Sequence, residues 1–120
     1  METLQINTTF DKGEEFLAVA HHALNYADQE DTAYMVCTNA KSALSNYLIS
    51  FLDHYGERVY SEDPEVLLNQ CRELSGNYFD LHIHELKRWQ NGEIDASINL
   101  GKQVVFMAEF ARELMVCELI

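Results

Sequence analysis

Turn-forming residues are scarce in this chain. One proline and five glycines among 120 residues are too few for the closely spaced turns of a β-sandwich or barrel. Cations are scarce too: eight Lys and Arg stand against twenty Asp and Glu, a formal charge of −12. A surface of that sign repels phosphate, so direct nucleic-acid binding and attachment to anionic membranes are disfavoured. The acids are scattered rather than gathered in a tail, as on solvated faces and at helix starts. Cys37, Cys71 and Cys117 are odd in number and widely spaced, with no Cys-x-x-Cys pair, which supports neither a disulfide framework nor a zinc knuckle. Each lies in an apolar run, where a thiol acts as a small hydrophobe. The first fifteen residues carry no basic leader and no apolar stretch of signal-peptide length. The apolar run from Val104 to Ile120 is broken by Glu109, Arg112, Glu113 and Glu118, short of the roughly 20 residues a membrane span requires. A cytoplasmic protein without a membrane segment is expected.

What is present is apolar content, 48 % of residues with 11 % aromatic, which excludes intrinsic disorder. A chain of this length buries ~65 % of its unfolded surface, so one domain spanning 1–120 is expected. Apolar residues recur at steps of three and four. Asp11-Lys-Gly-Glu14 has the form of a capping box, and Phe16, Leu17, Ala20, Ala23, Leu24 and Ala27 follow, predicting a first helix from about Asp11 to Tyr26 or Asp28. The polar cluster Asp28 to Asp31 offers the next cap. The stripe Val36, Cys37, Ala40, Ala43, Leu44, Tyr47, Leu48, Phe51, Leu52, Tyr55 predicts a long second helix ending at Gly56, whose alanines permit close approach of another helix. Asp63-Pro64 opens a third helix, with Leu67, Cys71 and Leu74 on its seam. Ser75-Gly76-Asn77 interrupts it, and a fourth helix is predicted from about Tyr78 to Trp89, burying Phe79, Ile83 and Leu86. After Gln90-Asn91-Gly92-Glu93, Asp95 or Ser97 starts the last helix, through Ile98, Val104, Val105, Ala108, Ala111, Leu114 and Met115. No segment reads as sustained period-two alternation. The fold class is all-α, an antiparallel, up-and-down bundle of four or five helices.

The stretch Phe16 to Leu86, with an alanine-rich first helix, a polar turn, AKSALSNYLISFLDHYG and then DPEVLLNQCRELSGNYFDLH, resembles the HEPN superfamily of small helical bundles. That resemblance implies a bundle that commonly dimerises and acts as a binding or regulatory partner, beside a nucleotidyltransferase or within a toxin–antitoxin pair. Many members are ribonucleases with an Arg followed four to six residues later by a His. Here Arg58, Arg72, Arg88 and Arg112 have no His at that spacing; the nearest downstream case, Arg72 to His82, crosses the Ser75-Gly76-Asn77 breaker. The catalytic carry-over fails, and a non-catalytic module is the leading reading. Its rivals are a ribonuclease assembled from Arg72, His82 and His84, and a structural adaptor offering a hydrophobic groove to a partner helix.

No residue pattern implies a cofactor. His82-x-His84 on a helix would point about 200° apart and could not share an ion. Glu-x-x-His, which a di-iron bundle needs, does not occur. His21 and His22 face differently, one of them toward the apolar stripe as a half-buried, satisfied histidine. No cysteine has a basic neighbour to activate it. Lys41 is the informative polar residue, because it occupies a position on the seam Cys37, Lys41, Leu44, Leu48, Phe51. It either snorkels to water from the stripe's edge or joins Asn39, Asn46 or Arg72 in a polar pocket. Lys41, Asn46 and Arg72 are the candidate ligand residues, and that pocket is the first place for an anion or a nucleotide phosphate. Most aromatics (Tyr47, Phe51, Tyr55, Tyr78, Phe79) read as core. The last helix is apolar nearly all round, so it is either central or covered by a second copy. A homodimer through Val105, Phe106 and Phe110 is the expectation.

Overall fold

The computed structural model describes the backbone of residues 2–25, 30–75 and 79–119, and side chains within 8–25, 32–75 and 79–117. The described residues form five α-helices and no strand: α1 (Glu2–Leu24), α2 (Glu30–His54), α3 (Pro64–Ser75), α4 (His84–Gln90) and α5 (Ile98–Leu119). The expected helical bundle is present. Its central member is α2, which packs against α1, α5 and α3. Tyr47, Leu48, Leu52, Val36 and Ala40 of α2 are fully buried.

Local chemistry sets most boundaries. Gly56 adopts φ 70°. Its N–H donates to the Asp53 carbonyl at 3.0 Å and that of Glu57 to the Leu52 carbonyl at 2.9 Å, the paired bonds that close a helix through a left-handed glycine. At the start of α3 the Asp63 carboxylate accepts from the Glu65 N–H at 3.1 Å, with Pro64 in the first turn, as Asp63-Pro64 predicts. Ser97 caps α5: its hydroxyl accepts from the Leu100 N–H at 3.0 Å and its carbonyl from Gly101 at 2.8 Å.

Two boundaries differ from the sequence reading. The first helix does not begin at Asp11; α1 already runs from Glu2, and Asp11 is exposed in its middle. The apparent capping box is used otherwise. Gly13 is buried against the Tyr47 ring, where an added Cβ would meet ring carbon Cε1 at 2.9 Å, and Glu14 reaches across to α2 and α5. The fourth helix is also shorter than predicted. The residues from Phe79 to Ile83 are not helical, and the Leu81 N–H donates back to the Phe79 carbonyl at 3.0 Å in a three-residue turn. Phe79 and Leu81 are buried, while Asp80 and His82 are exposed. The alternation Phe79-Asp80-Leu81-His82-Ile83-His84 is the signal of extended backbone that the three-and-four reading passed over. The expected Asp28 cap and the Gly76-Asn77 break lie outside the described residues.

Contacts fix the helix directions. Tyr47 in the second half of α2 meets Phe10 and Gly13 of α1. An added Cβ on Gly101 at the start of α5 would meet Val36 in the first half of α2, and Arg112 farther along α5 reaches Glu14 beside Tyr47. Thus α1 runs against α2, and α5 runs with it. The irregular stretch and α4 return the chain along α2, from Phe51 at Phe79 to Tyr34 at Trp89. Among the described residues, no helix is long and apolar enough to cross a membrane.

Candidate functional site

A cleft of about 470 Å³ lies between α1 and α2. Lys12 and Phe16 of α1 line one wall; Lys41, Ser42, Ser45, Asn46 and Ile49 of α2 line the other, and Glu62 of the α2–α3 link borders it. Helical spacing makes the α2 wall: residues 41, 42, 45, 46 and 49 succeed one another at alternating steps of one and three, so that 41/45, 42/46 and 45/49 stack a turn apart on one face. The Ser45 hydroxyl donates to the Glu62 carbonyl at 2.9 Å, tying the link to the wall. Asn46 donates one amide hydrogen to the Ser42 carbonyl at 2.8 Å. Its side-chain oxygen and second N–H remain for another partner.

The cleft's electrostatics run against those of the chain. Most arginines are consumed by structure. Arg112 is paired with Glu14, and Arg88 lies 3.4 Å from Glu85 and 3.9 Å from Glu93. Lys87 is 3.0 Å from Glu65. Arg72 donates from Nε to the Phe79 carbonyl at 3.1 Å and from Nη2 to the Leu81 carbonyl at 2.6 Å. Lys12 and Lys41, in contrast, have no carboxylate within 4.0 Å among the described residues. Two lysines therefore line one hollow of a strongly acidic molecule, together with half-buried Phe16 and Ile49.

Of the three ligand residues read from sequence, Lys41 and Asn46 share this cleft. Arg72 does not line it; its guanidinium clamps the irregular stretch before α4. Lys41 is half-buried, so it leaves the core seam at its edge, as snorkelling requires. Asn39 is also apart, bonded to the Met35 carbonyl of its own helix at 2.8 Å. Lys12 and Phe16 were missed as site residues. Lys12 sits in the misread capping box, and only the pairing of α1 with α2 brings it opposite Lys41.

The other candidates are structural. Among the described residues no group of three His, Cys, Asp or Glu could hold a metal ion. His82 lies in the irregular stretch, its imidazole 3.7 Å from Asp80, and His84 is exposed. Both His21 and His22 are exposed, which corrects the half-buried expectation. All three cysteines are free. Burial pushes the Cys71 thiol up to about 12 and raises Cys37, so neither is poised as a nucleophile. Cys117 is exposed, contrary to its reading as a core hydrophobe. Tyr47, Phe51 and Phe79 are core; Tyr55 is exposed. Val105 is only 4 % exposed and belongs to the core of the chain itself, while Phe106 is 67 % exposed and Phe110 half-buried. Comparison with known proteins returns no matching family model, no matching curated protein and no matching solved structure.

Proposed function

We propose that the protein is a non-catalytic, HEPN-like helical module that acts as a binding or regulatory partner and holds a small ligand between α1 and α2. The observation that carries this reading is the cleft itself: Lys12 and Lys41 both line it, with no carboxylate within 4.0 Å of either among the described residues. Small-molecule sites are concave, with a few polar groups above apolar walls, and Phe16 and Ile49 supply such walls. Three free thiols fit a reducing, cytoplasmic setting. A nucleotidyltransferase or toxin–antitoxin partner rests on the family resemblance alone. A homodimer is supported by exposed Phe106 on α5.

Amide NMR spectra of the full chain, titrated with a set of neutral, cationic and anionic fragments, test the cleft. Binding is expected to shift the signals of residues 12–16 and 41–49 together. A set that leaves those signals unmoved, or moves only α4 and α5, would remove the ligand-binding reading.

One observation favours a second reading. The Arg72 clamp on the Leu81 carbonyl brings its guanidinium beside the chain at His82, despite their separation in sequence. A ribonuclease built on that pair would lose cleavage of mixed RNA in a His82→Ala variant. On the non-catalytic reading, wild type and variant leave RNA equally intact.

A further inference from the structure

Resting on the ligand-binding reading of the cleft between α1 and α2, we infer that its ligand is a small organic dianion: a doubly charged oxyanion head held between Lys12 and Lys41, and an apolar body laid against Phe16 and Ile49. The charge follows from the count of unspent cations. Lys12 and Lys41 both line the hollow and neither is neutralised by a carboxylate among the described residues, so a singly charged ligand would leave one ammonium unmatched. Elsewhere in the molecule Arg72, Lys87, Arg88 and Arg112 are held by carbonyls or carboxylates; Arg58 and Lys102 also have no carboxylate within 4.0 Å among the described residues, but neither lines the hollow. Two lysines act as compact point charges and not as a planar fork. They set the charge of the head without choosing between phosphate and paired carboxylates. Asn46 faces the same space with a free amide hydrogen and a free oxygen, which suits oxygens of the head or a polar group beside it.

The apolar body follows from one apolar side chain on each wall. Phe16 and Ile49 are half-buried and pack on the core while also lining the hollow. A purely inorganic ion would leave these surfaces uncovered. The volume, about 470 Å³, exceeds what a bare oxyanion fills and lies in the range of small-molecule sites. Glu62 lines the same hollow but has no ion pair within 4.0 Å with either lysine; its charge repels an anionic head, so the head belongs at the lysines.

Isothermal titration calorimetry on the full chain at low salt tests this with four probes. Phenyl phosphate and phthalate are dianions with an aryl body, benzoate is the monoanion, and inorganic phosphate lacks the body. At least one aryl dianion is expected to bind about tenfold more tightly than benzoate and than inorganic phosphate; which of the two wins distinguishes a phosphomonoester from a dicarboxylate. Lys12→Gln and Lys41→Gln should each weaken it about five- to tenfold and Lys41→Arg should restore most of the loss, while Phe16→Ala should erase the advantage over inorganic phosphate. Raising the salt to about 0.5 M should weaken binding by screening the two ammonium groups. Unchanged thermal unfolding of the lysine variants separates lost binding from lost fold. Binding of both aryl dianions no tighter than benzoate, or no tighter than inorganic phosphate, would overturn the inference. So would silence from every probe. If neutral or cationic fragments still shift the cleft signals by NMR, only the ligand class falls; if no fragment does, the ligand-binding reading falls with it.

Discussion

Glu14 shows how one side chain can join three helices. Its Oε1 accepts from the Tyr47 hydroxyl of α2 at 2.6 Å and from Arg112 Nε of α5 at 2.6 Å, while Oε2 accepts from Nη2 at 3.3 Å. Burial works to raise the Glu14 pKa, but the hydrogen bonds from Arg112 and Tyr47 and the Arg112 charge outweigh it and hold the carboxyl below its ordinary 4.5. Burial and the neighbouring carboxylate push the Tyr47 hydroxyl well above the usual tyrosine range. Because the folded Glu14 gives up its proton more readily than the unfolded one, its stabilisation is complete above about pH 4.5 and drains away as pH falls through the folded value. Glu14→Ala should cost about 1–3 kcal/mol at pH 7, since it strands a buried hydroxyl as well as removing the charged bonds. Glu14→Gln keeps an acceptor, so it should cost less and flatten the acid limb. Urea unfolding at pH 7, 5 and 3.5 checks both, and an acid limb of undiminished slope in Glu14→Gln would assign it to other carboxylates. The sequence marks Glu14 as special but for the wrong reason: Asp-x-x-Glu is the spelling of a cap, and nothing in one dimension tells that Tyr47 and Arg112 will meet it.

At the scale of elements, spacing was readable where local chemistry decides it. Asp63-Pro64, Ser97 and Gly56 mark helix ends because each acts on backbone within a few residues. The stretch Phe79 to Ile83 misled because helical and extended readings both bury Phe79, and its carbonyls are held by Arg72 from another helix. The α2–α5 contact gives a sharp test. A Cβ on Gly101 would lie 2.6 Å from Val36 Cγ1 and 3.1 Å from Val36 Cβ. Alanine is worth about 1 kcal/mol over glycine inside a helix, yet the β-branched Val36 has little rotamer freedom to yield, and overpacking costs about 1–3 kcal/mol. The clash outweighs the propensity gain on average: Gly101→Ala should destabilise by about 1 kcal/mol net, within a range of about 0–2. In a Val36→Ala background the same change should become neutral or stabilising. Chemical unfolding of the four chains closes the cycle, and a Gly101→Ala cost that persists without Val36 would place the strain elsewhere.

At the scale of the molecule, the nearly all-round apolar character of α5 is met in large part by packing within the chain. Leu100, Val104, Val105, Ala108, Ala111 and Met115 face the core, whereas Phe106 stands 67 % exposed. On the proposed homodimer, sedimentation equilibrium of the wild type returns a dimer mass and Phe106→Glu returns a monomer of unchanged helicity. A wild type that stays monomeric at about 100 μM would remove the dimer and leave Phe106 as solitary exposed surface, which is common on soluble proteins.

The sequence by itself determined the class of fold and the ends of most helices, because period and capping are properties of neighbouring residues. It also singled out Lys41 and Asn46, since a lysine on an apolar seam is legible without a partner. Only the tertiary structure decided that Lys12 and Phe16 complete the cleft and that Arg72 belongs to a backbone clamp. It alone showed Glu14 as a junction and not a cap. Such roles depend on which distant side chains share a few ångströms, and that is set by how the helices pack.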